Sequence, residues 1–260
     1  MADSRPVAFF DFDGTLSLVR TGWQQIMVPM MVELLLELKT GETREQIQSV
    51  VEESVWSLTG RETIYQMEAL VEQIRERGGK PMTGLEYKAE YLRRLHTAIA
   101  DRLQGLRKGT IAPDSLLVPG ARDFLEALYD GGVRMYLASG TDHENVEDEA
   151  RLLQIDRYFD HRIFGARDDH SFSKALLVRH ILAGAECTPD RLFGYGDGYV
   201  EIEEVKKAGG MAVGVATLEP ECRVIDEWKR NRMLGVGADR IVPNFLERKS
   251  LLAMIDGMSA

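Results

Sequence analysis

Two carboxylates at spacing two, Asp11 and Asp13, follow the apolar run Val7 to Phe10. If that run is a strand, residues i and i+2 share one face. Two carboxylates about 4 Å apart repel by roughly 4 kcal/mol at an effective dielectric of about 20. A proton, a cation or solvent must offset that cost. The bland alternative is a turn, since Asp13-Gly14 is turn chemistry. Further along, Tyr195-Gly196-Asp197-Gly198 places another acid after an apolar run, and Glu201 follows one helical turn later. Several acids converging on one crevice make an oxygen-only site that suits Mg²⁺. Groups suited to an anion are also present. Ser139-Gly140-Thr141 follows a second apolar run, where a hydroxyl, a bare glycine backbone and the N–H groups of an opening helix would cradle a phosphate. Lys174 comes after Ser173 at the start of another helical pattern. Taken singly, Ser139-Gly140 is an ordinary strand-to-helix turn and Lys174 a surface lysine. Their order along the chain, with an acid pair before them and an acid pair after, makes that accident improbable.

These residues need elements to hold them. Val7–Phe10 and Val133–Ala138 read as buried strands of a parallel sheet. Weaker strand signals lie at Arg162–Phe164, Arg191–Tyr195, Met211–Val215 and Arg240–Val242. Helical periods separate them at Ala121–Tyr129, Lys174–Ala183, Val200–Ala208 and Phe245–Ile255. Alternating strand and helix predicts right-handed crossovers and a doubly wound α/β sheet, whose ligand crevice lies at the carboxyl ends of the strands. Residues 17–116 differ, with helical stripes and no convincing strand. Thr43 with Gln46 and Thr83 with Glu86 form two capping boxes, and Gly60 and Gly78-Gly79 act as breaks. The predicted organisation is an α/β domain made of 1–16 and 117–260, carrying an all-helical insertion at 17–116. The hinges are expected near Leu16–Leu18 and Pro113–Pro119.

The chain has 260 residues with 32 Lys plus Arg against 42 Asp plus Glu, a net charge of −10. That balance argues against nucleic-acid or anionic-membrane binding, which need a basic field, but not against a small anionic substrate at a local site. Cys187 and Cys222 have no disulfide-framework or zinc spacing. Met1–Pro6 lacks a signal-peptide pattern, and the apolar stretch Ile26–Leu38 is broken by Pro29, Glu33 and Glu37, too short and too charged to span a bilayer. A cytoplasmic location is the expectation, with oligomeric state open between monomer and homodimer.

The ordered set of motifs resembles the haloacid dehalogenase-like (HAD) phosphohydrolase superfamily. Asp11-Phe12-Asp13-Gly14-Thr15-Leu16 matches its first motif, Leu137-Ala138-Ser139-Gly140 the second, Lys174 the third, and Gly196-Asp197 with Glu201 the fourth. The resemblance covers the α/β part, and the insertion resembles the family's helical C1 cap. It implies a Rossmann-like core and a Mg²⁺-dependent phosphohydrolase acting on a small phosphorylated metabolite. Asp11 is then the nucleophile that becomes an aspartyl phosphate, and Asp13 the general acid and base. The ion would be held by Asp11, the Asp13 carbonyl and Asp197, with Glu201 orienting a water or Asp197. Ser139, Gly140 and Lys174 would hold phosphoryl oxygens.

Two departures stand out. Lys174 is followed by Ala175 rather than proline, and the last acid of the fourth motif is Glu rather than Asp. Asp13 favours phosphate-ester chemistry, because an alkoxide leaving group needs a proton. A sugar-phosphate mutase of the same superfamily is the alternative; a receiver-like phospho-switch fits less well, since its phosphorylated Asp does not sit on the first strand. In the insertion, Leu58-Thr59-Gly60-Arg61 resembles the family's specificity loop, so Arg61 is a candidate substrate contact. Arg20 and Trp23, close after the first motif, are candidates to line the entrance.

Overall fold

A computed structural model describes residues 5–167, 171–184 and 186–256. The polar start of the chain, residues 1–4, lies outside the described residues. The chain divides into two compact units, residues 22–101 and residues 1–21 with 102–260.

The second of these is built on a sheet that begins with β1 (Val7–Phe10), whose four residues are all buried. Residues 22–101 are helical: α1 (Gln24–Leu36), α2 (Arg44–Ser57), α3 (Thr63–Glu76) and most of α4 (Gly84–Lys108). The two capping boxes form as expected. Thr43 accepts from the Gln46 N–H while Gln46 accepts from the Thr43 N–H, and Thr83 and Glu86 repeat the exchange. Met27, Met31 and Leu35 of α1, Val51 and Val55 of α2 and Met67, Leu70 and Ile74 of α3 form its buried stripes.

The chain returns to the sheet unit through α5 (Ala121–Asp130), β2 (Arg134–Asp142), α6 (His143–Leu152), β3 (Ile163–Ala166), α7 (Lys174–Ala183), β4 (Leu192–Gly196), α8 (Tyr199–Lys207), β5 (Met211–Val215), α9 (Glu227–Gly235), β6 (Arg240–Val242) and α10 (Arg248–Asp256). The six strands lie in the order β3-β2-β1-β4-β5-β6, and every pairing is parallel. This is the doubly wound α/β architecture predicted from the alternating pattern. The order reverses at β1, which lies between β2 and β4, and in such sheets the reversal opens a crevice at the strands' carboxyl ends. Phe10 stacks on Tyr195 at 4.7 Å between ring centroids, and Phe124 packs edge-on against both rings. This aromatic core fixes β1 against β4 directly beneath the residues that leave their carboxyl ends.

Two boundaries differ from expectation. Residues 17–21 and 102–116, read from sequence as part of the insertion, pack with the sheet. Ser17 bridges to Asp13 and to Leu117, the Leu18 N–H donates to the Leu116 carbonyl, and the Arg102 guanidinium donates to the carbonyls of Val19 and Thr21. Apolar periodicity cannot register such backbone pairing. The second difference is at β2, which runs on through Ser139, Gly140 and Thr141 to Asp142, with an irregular register against β3 after Ala138. Gly140 therefore sits in an irregular strand end, and α6 opens only at His143. The helix-terminal N–H groups expected at Ser139-Gly140-Thr141 are not there.

Candidate active site

Four segments of the sheet unit bring their polar residues together. Asp11 leaves the end of β1, its N–H held by the Tyr195 carbonyl at 2.9 Å. The chain then turns sharply, with Gly14 at φ +74°, and the N–H groups of Leu16 and Ser17 both return to the Phe12 carbonyl. Glycine is required at 14 twice over. Its φ is left-handed, and a Cβ there would stand 2.4 Å from Asp197 Oδ2. The first motif is thus folded onto the fourth.

Lys174 is the hub. Ser173 caps α7 by accepting from the Leu176 N–H, which starts the helix with Lys174 pointing into the site. Its Nζ lies 2.7 Å from Asp11 Oδ1 and 2.8 Å from Glu201 Oε2, and all three residues are buried. Glu201 uses its other oxygen to accept from the Gly198 N–H at 2.7 Å, closing the turn into α8. Glu201 therefore holds Lys174 and its own turn, two contacts that the resemblance did not imply. Gly196 makes room for it, since a Cβ there would come within 2.1 Å of the Glu201 side chain.

The electrostatics follow from crowding. Burial pushes the Asp11 carboxyl well above its ordinary pKa, with Glu201 and Asp197 adding to the rise and Lys174 opposing it. Burial also works against the Lys174 ammonium, but Asp11 and Glu201 outweigh it and hold Lys174 above the usual lysine range. Carboxylate oxygens of Asp11, Asp197 and Glu201 lie within 4.8 Å of one another. Asp197 has a cation of its own, Lys229 Nζ at 2.8 Å from Oδ2, which also reaches Glu219 at 3.4 Å. Four carboxylates thus face two ammoniums, a formal charge of −2 in a poorly hydrated place. A divalent cation with hard-oxygen preference fits both that deficit and the donor set.

Asp13 is arranged differently. Its Oδ2 accepts from Thr141 Oγ1 at 2.9 Å and Ser139 Oγ at 3.2 Å, while its buried Oδ1 makes no hydrogen bond. Ser139 Oγ in turn accepts from the Thr141 N–H at 3.0 Å. The Arg20 guanidinium lies 3.9 Å from the free oxygen. Arg20 does not line an entrance. It is 5% exposed and grips Glu149 of α6 with contacts of 2.7, 3.0 and 3.2 Å. Burial raises the Glu149 pKa, and Arg20 counters only part of that rise.

Asp11, Lys174, Asp197 and Glu201 therefore converge, and Ser139 reaches Asp13 on the β2 side. Trp23 and Arg61 lie in the helical unit. Trp23 precedes α1, and Arg61 is exposed between α2 and α3 with its guanidinium 6.0 Å from the Tyr65 ring centre. Sequence reasoning missed Thr141, Glu149, Glu219 and Lys229. Thr141 alone had a local signal, its i+2 position from Ser139 on a strand; the others come from distant segments.

The chain is a doubly wound α/β protein with acids and a lysine gathered at the carboxyl edge of its parallel sheet, where such folds open their ligand crevice. The family model for haloacid dehalogenase-like hydrolases matches residues 6–209, and the chain belongs to that family. No curated protein matches it in sequence. Among solved structures it is similar to a family IA, variant 3 HAD hydrolase from Entamoeba histolytica, with a TM-score of 0.63 at 17% identity over 98% of this chain and 100% of that one. A predicted phosphoglycolate phosphatase from Haemophilus somnus gives 0.60 at 15% identity over 95% and 98%. CbbY from Rhodobacter sphaeroides, in complex with phosphate, gives 0.58 at 21% identity over 97% and 99%. At these identities the likeness concerns the fold. No helix among the described residues is long and apolar enough to cross a membrane.

Proposed function

We propose that the chain is a Mg²⁺-dependent phosphohydrolase that removes phosphate from a small phosphorylated metabolite through an aspartyl phosphate on Asp11. The observation that carries this is the pairing of two unlike carboxyl groups. Asp11 is buried and bound to Lys174, whereas Asp13 is tethered through one oxygen and leaves the other without a hydrogen bond. A nucleophile and a proton carrier need that difference. Phosphate in the CbbY structure and the phosphatase description of the H. somnus protein support the same substrate class.

Asp11 attacks phosphorus, and the bond from phosphorus to the leaving oxygen breaks. Asp13, protonated, gives its proton to that oxygen, so an alcohol departs. The Asp13 carboxylate then takes a proton from water as the water oxygen attacks the same phosphorus. The bond to Asp11 breaks, and inorganic phosphate leaves. Lys174 holds a phosphoryl oxygen while staying anchored by Glu201. The Ser139 hydroxyl would exchange its long 3.2 Å bond to Asp13 for one to the phosphoryl group, with the Gly140 N–H as a second donor. Asp11, the Asp13 carbonyl and Asp197 would hold the metal, which when bound supplies the positive charge that lets an anionic nucleophile approach an anionic phosphoryl group. Thr141 and Arg20 keep the Asp13 side chain in place.

The test is a phosphate-release screen over sugar phosphates, nucleotides and other phosphometabolites, with Mg²⁺ and with chelator. Turnover with Mg²⁺ that disappears in chelator is the expected result. No release from any ester in Mg²⁺ would refute the hydrolase assignment. Little steady release together with a need for a bisphosphate primer would identify a mutase.

Residues 22–101 serve in this proposal as the lid that selects the substrate and excludes water. Arg61→Ala should raise KM for the natural ester more than for a small aryl phosphate, because an aryl phosphate offers a guanidinium no anionic or polyhydroxyl group beyond the phosphoryl group itself. Equal changes for both esters would remove Arg61 from substrate recognition.

A further inference from the structure

Lys229 belongs to none of the motifs, yet it is the cation nearest Asp197. It sits in the first turn of α9, where Asp226 caps the helix by accepting from the N–H groups of Trp228 and Lys229. Its ammonium has three protons and meets three acceptors: Asp197 Oδ2 at 2.8 Å, the Thr217 carbonyl at 3.1 Å and Glu219 Oε1 at 3.4 Å. The Lys229 and Asp197 side chains are each only 13% exposed. Gly14 closes in on the same oxygen from another side, in the close approach described above. Asp197 Oδ2 is therefore committed, which leaves one oxygen of this carboxylate for any other partner.

Mg²⁺ requires near-ideal octahedral geometry and takes carboxylates through single oxygens, whereas Ca²⁺ accepts six to eight ligands and readily takes both oxygens of a carboxylate. We propose that Lys229 is a positioning residue that confines Asp197 to one-oxygen coordination and so biases the site towards a small octahedral cation. The proposal rests on the metal site assigned above. It adds a cause of selectivity that lies outside the motifs. Lys229 also occupies Glu219, which would otherwise bring a further carboxylate to the site.

Removing the ammonium frees a second oxygen on Asp197 and a carboxylate on Glu219. Lys229→Met and Lys229→Gln should both strengthen Ca²⁺ binding relative to Mg²⁺ binding. The ratio of the two dissociation constants should move by about tenfold or more, the scale on which groups behind a ligand tune metal affinity. Lys229→Arg, which keeps the charge and the donors, should stay near the wild-type ratio. Calorimetric titration of the full chain with Mg²⁺ alone and Ca²⁺ alone reads this without turnover. Two variants guard against loss of fold in one of them. A wild type that binds neither ion defeats the metal site itself, and this proposal with it. A wild type that binds Mg²⁺, alongside Met and Gln variants of unchanged ratio, defeats the role of Lys229 alone.

Discussion

Asp11→Asn should lower phosphate release by about four orders of magnitude or more, roughly 5.5 kcal/mol of barrier. An amide at this position keeps the shape of the carboxylate but cannot displace an alcohol from phosphorus. Turnover retained at a tenth of wild type or above would mean that the nucleophile is another group. The same variant carries a second, independent expectation. In the metal-free protein Asp11 is raised by burial and by neighbouring acids. A raised acid favours the folded state in its protonated form. Its stabilising contribution is complete below the range of an unfolded aspartate, about pH 4, and is lost as pH climbs through the raised value. Asparagine never ionises. Measured in chelator, the stability of Asp11→Asn relative to wild type should therefore improve steadily from acid to neutral pH. Parallel curves would show that burial does not penalise the Asp11 charge.

Glu149→Ala should destabilise the sheet unit by about 3 kcal/mol, at the lower end of what breaking a buried ion pair costs. The deletion removes the carboxylate that grips the buried Arg20 guanidinium through three contacts, and Asp13 at 3.9 Å is too far to replace them. That leftover charge accounts for the penalty, so replacing both partners by apolar residues, Arg20→Met with Glu149→Leu, should recover most of it. Denaturant midpoints of the three variants against wild type decide the matter. A double variant as unstable as the single one would place the energy in packing rather than charge. Phosphate release provides the second readout. In Glu149→Ala the freed guanidinium draws on the Asp13 oxygen that exchanges protons, so kcat should fall while KM changes little.

The residues that meet in the candidate site were legible in the sequence wherever they follow the end of an apolar run. Asp11, Asp13, Ser139 and Asp197 stand out that way, whereas Lys174 is marked by a helix start after Ser173 and Glu201 by its place one helical turn after Asp197. Strand burial and the i, i+2 geometry are local properties, so spacing alone places a side chain at a strand's carboxyl end. The alternating elements likewise determined the sheet class, and the capping boxes the starts of α2 and α4. Tertiary structure alone decided what each charge is paired with. Glu149 reaches Arg20 across 129 residues, and Lys229 reaches Asp197 from the helix after β5. It also decided that Glu201 anchors Lys174, that β2 continues past Gly140, and that residues 17–21 and 102–116 pack with the sheet. Ion pairs form between whichever charged groups the fold leaves close together in a poorly hydrated place, and sequence separation carries no record of that distance.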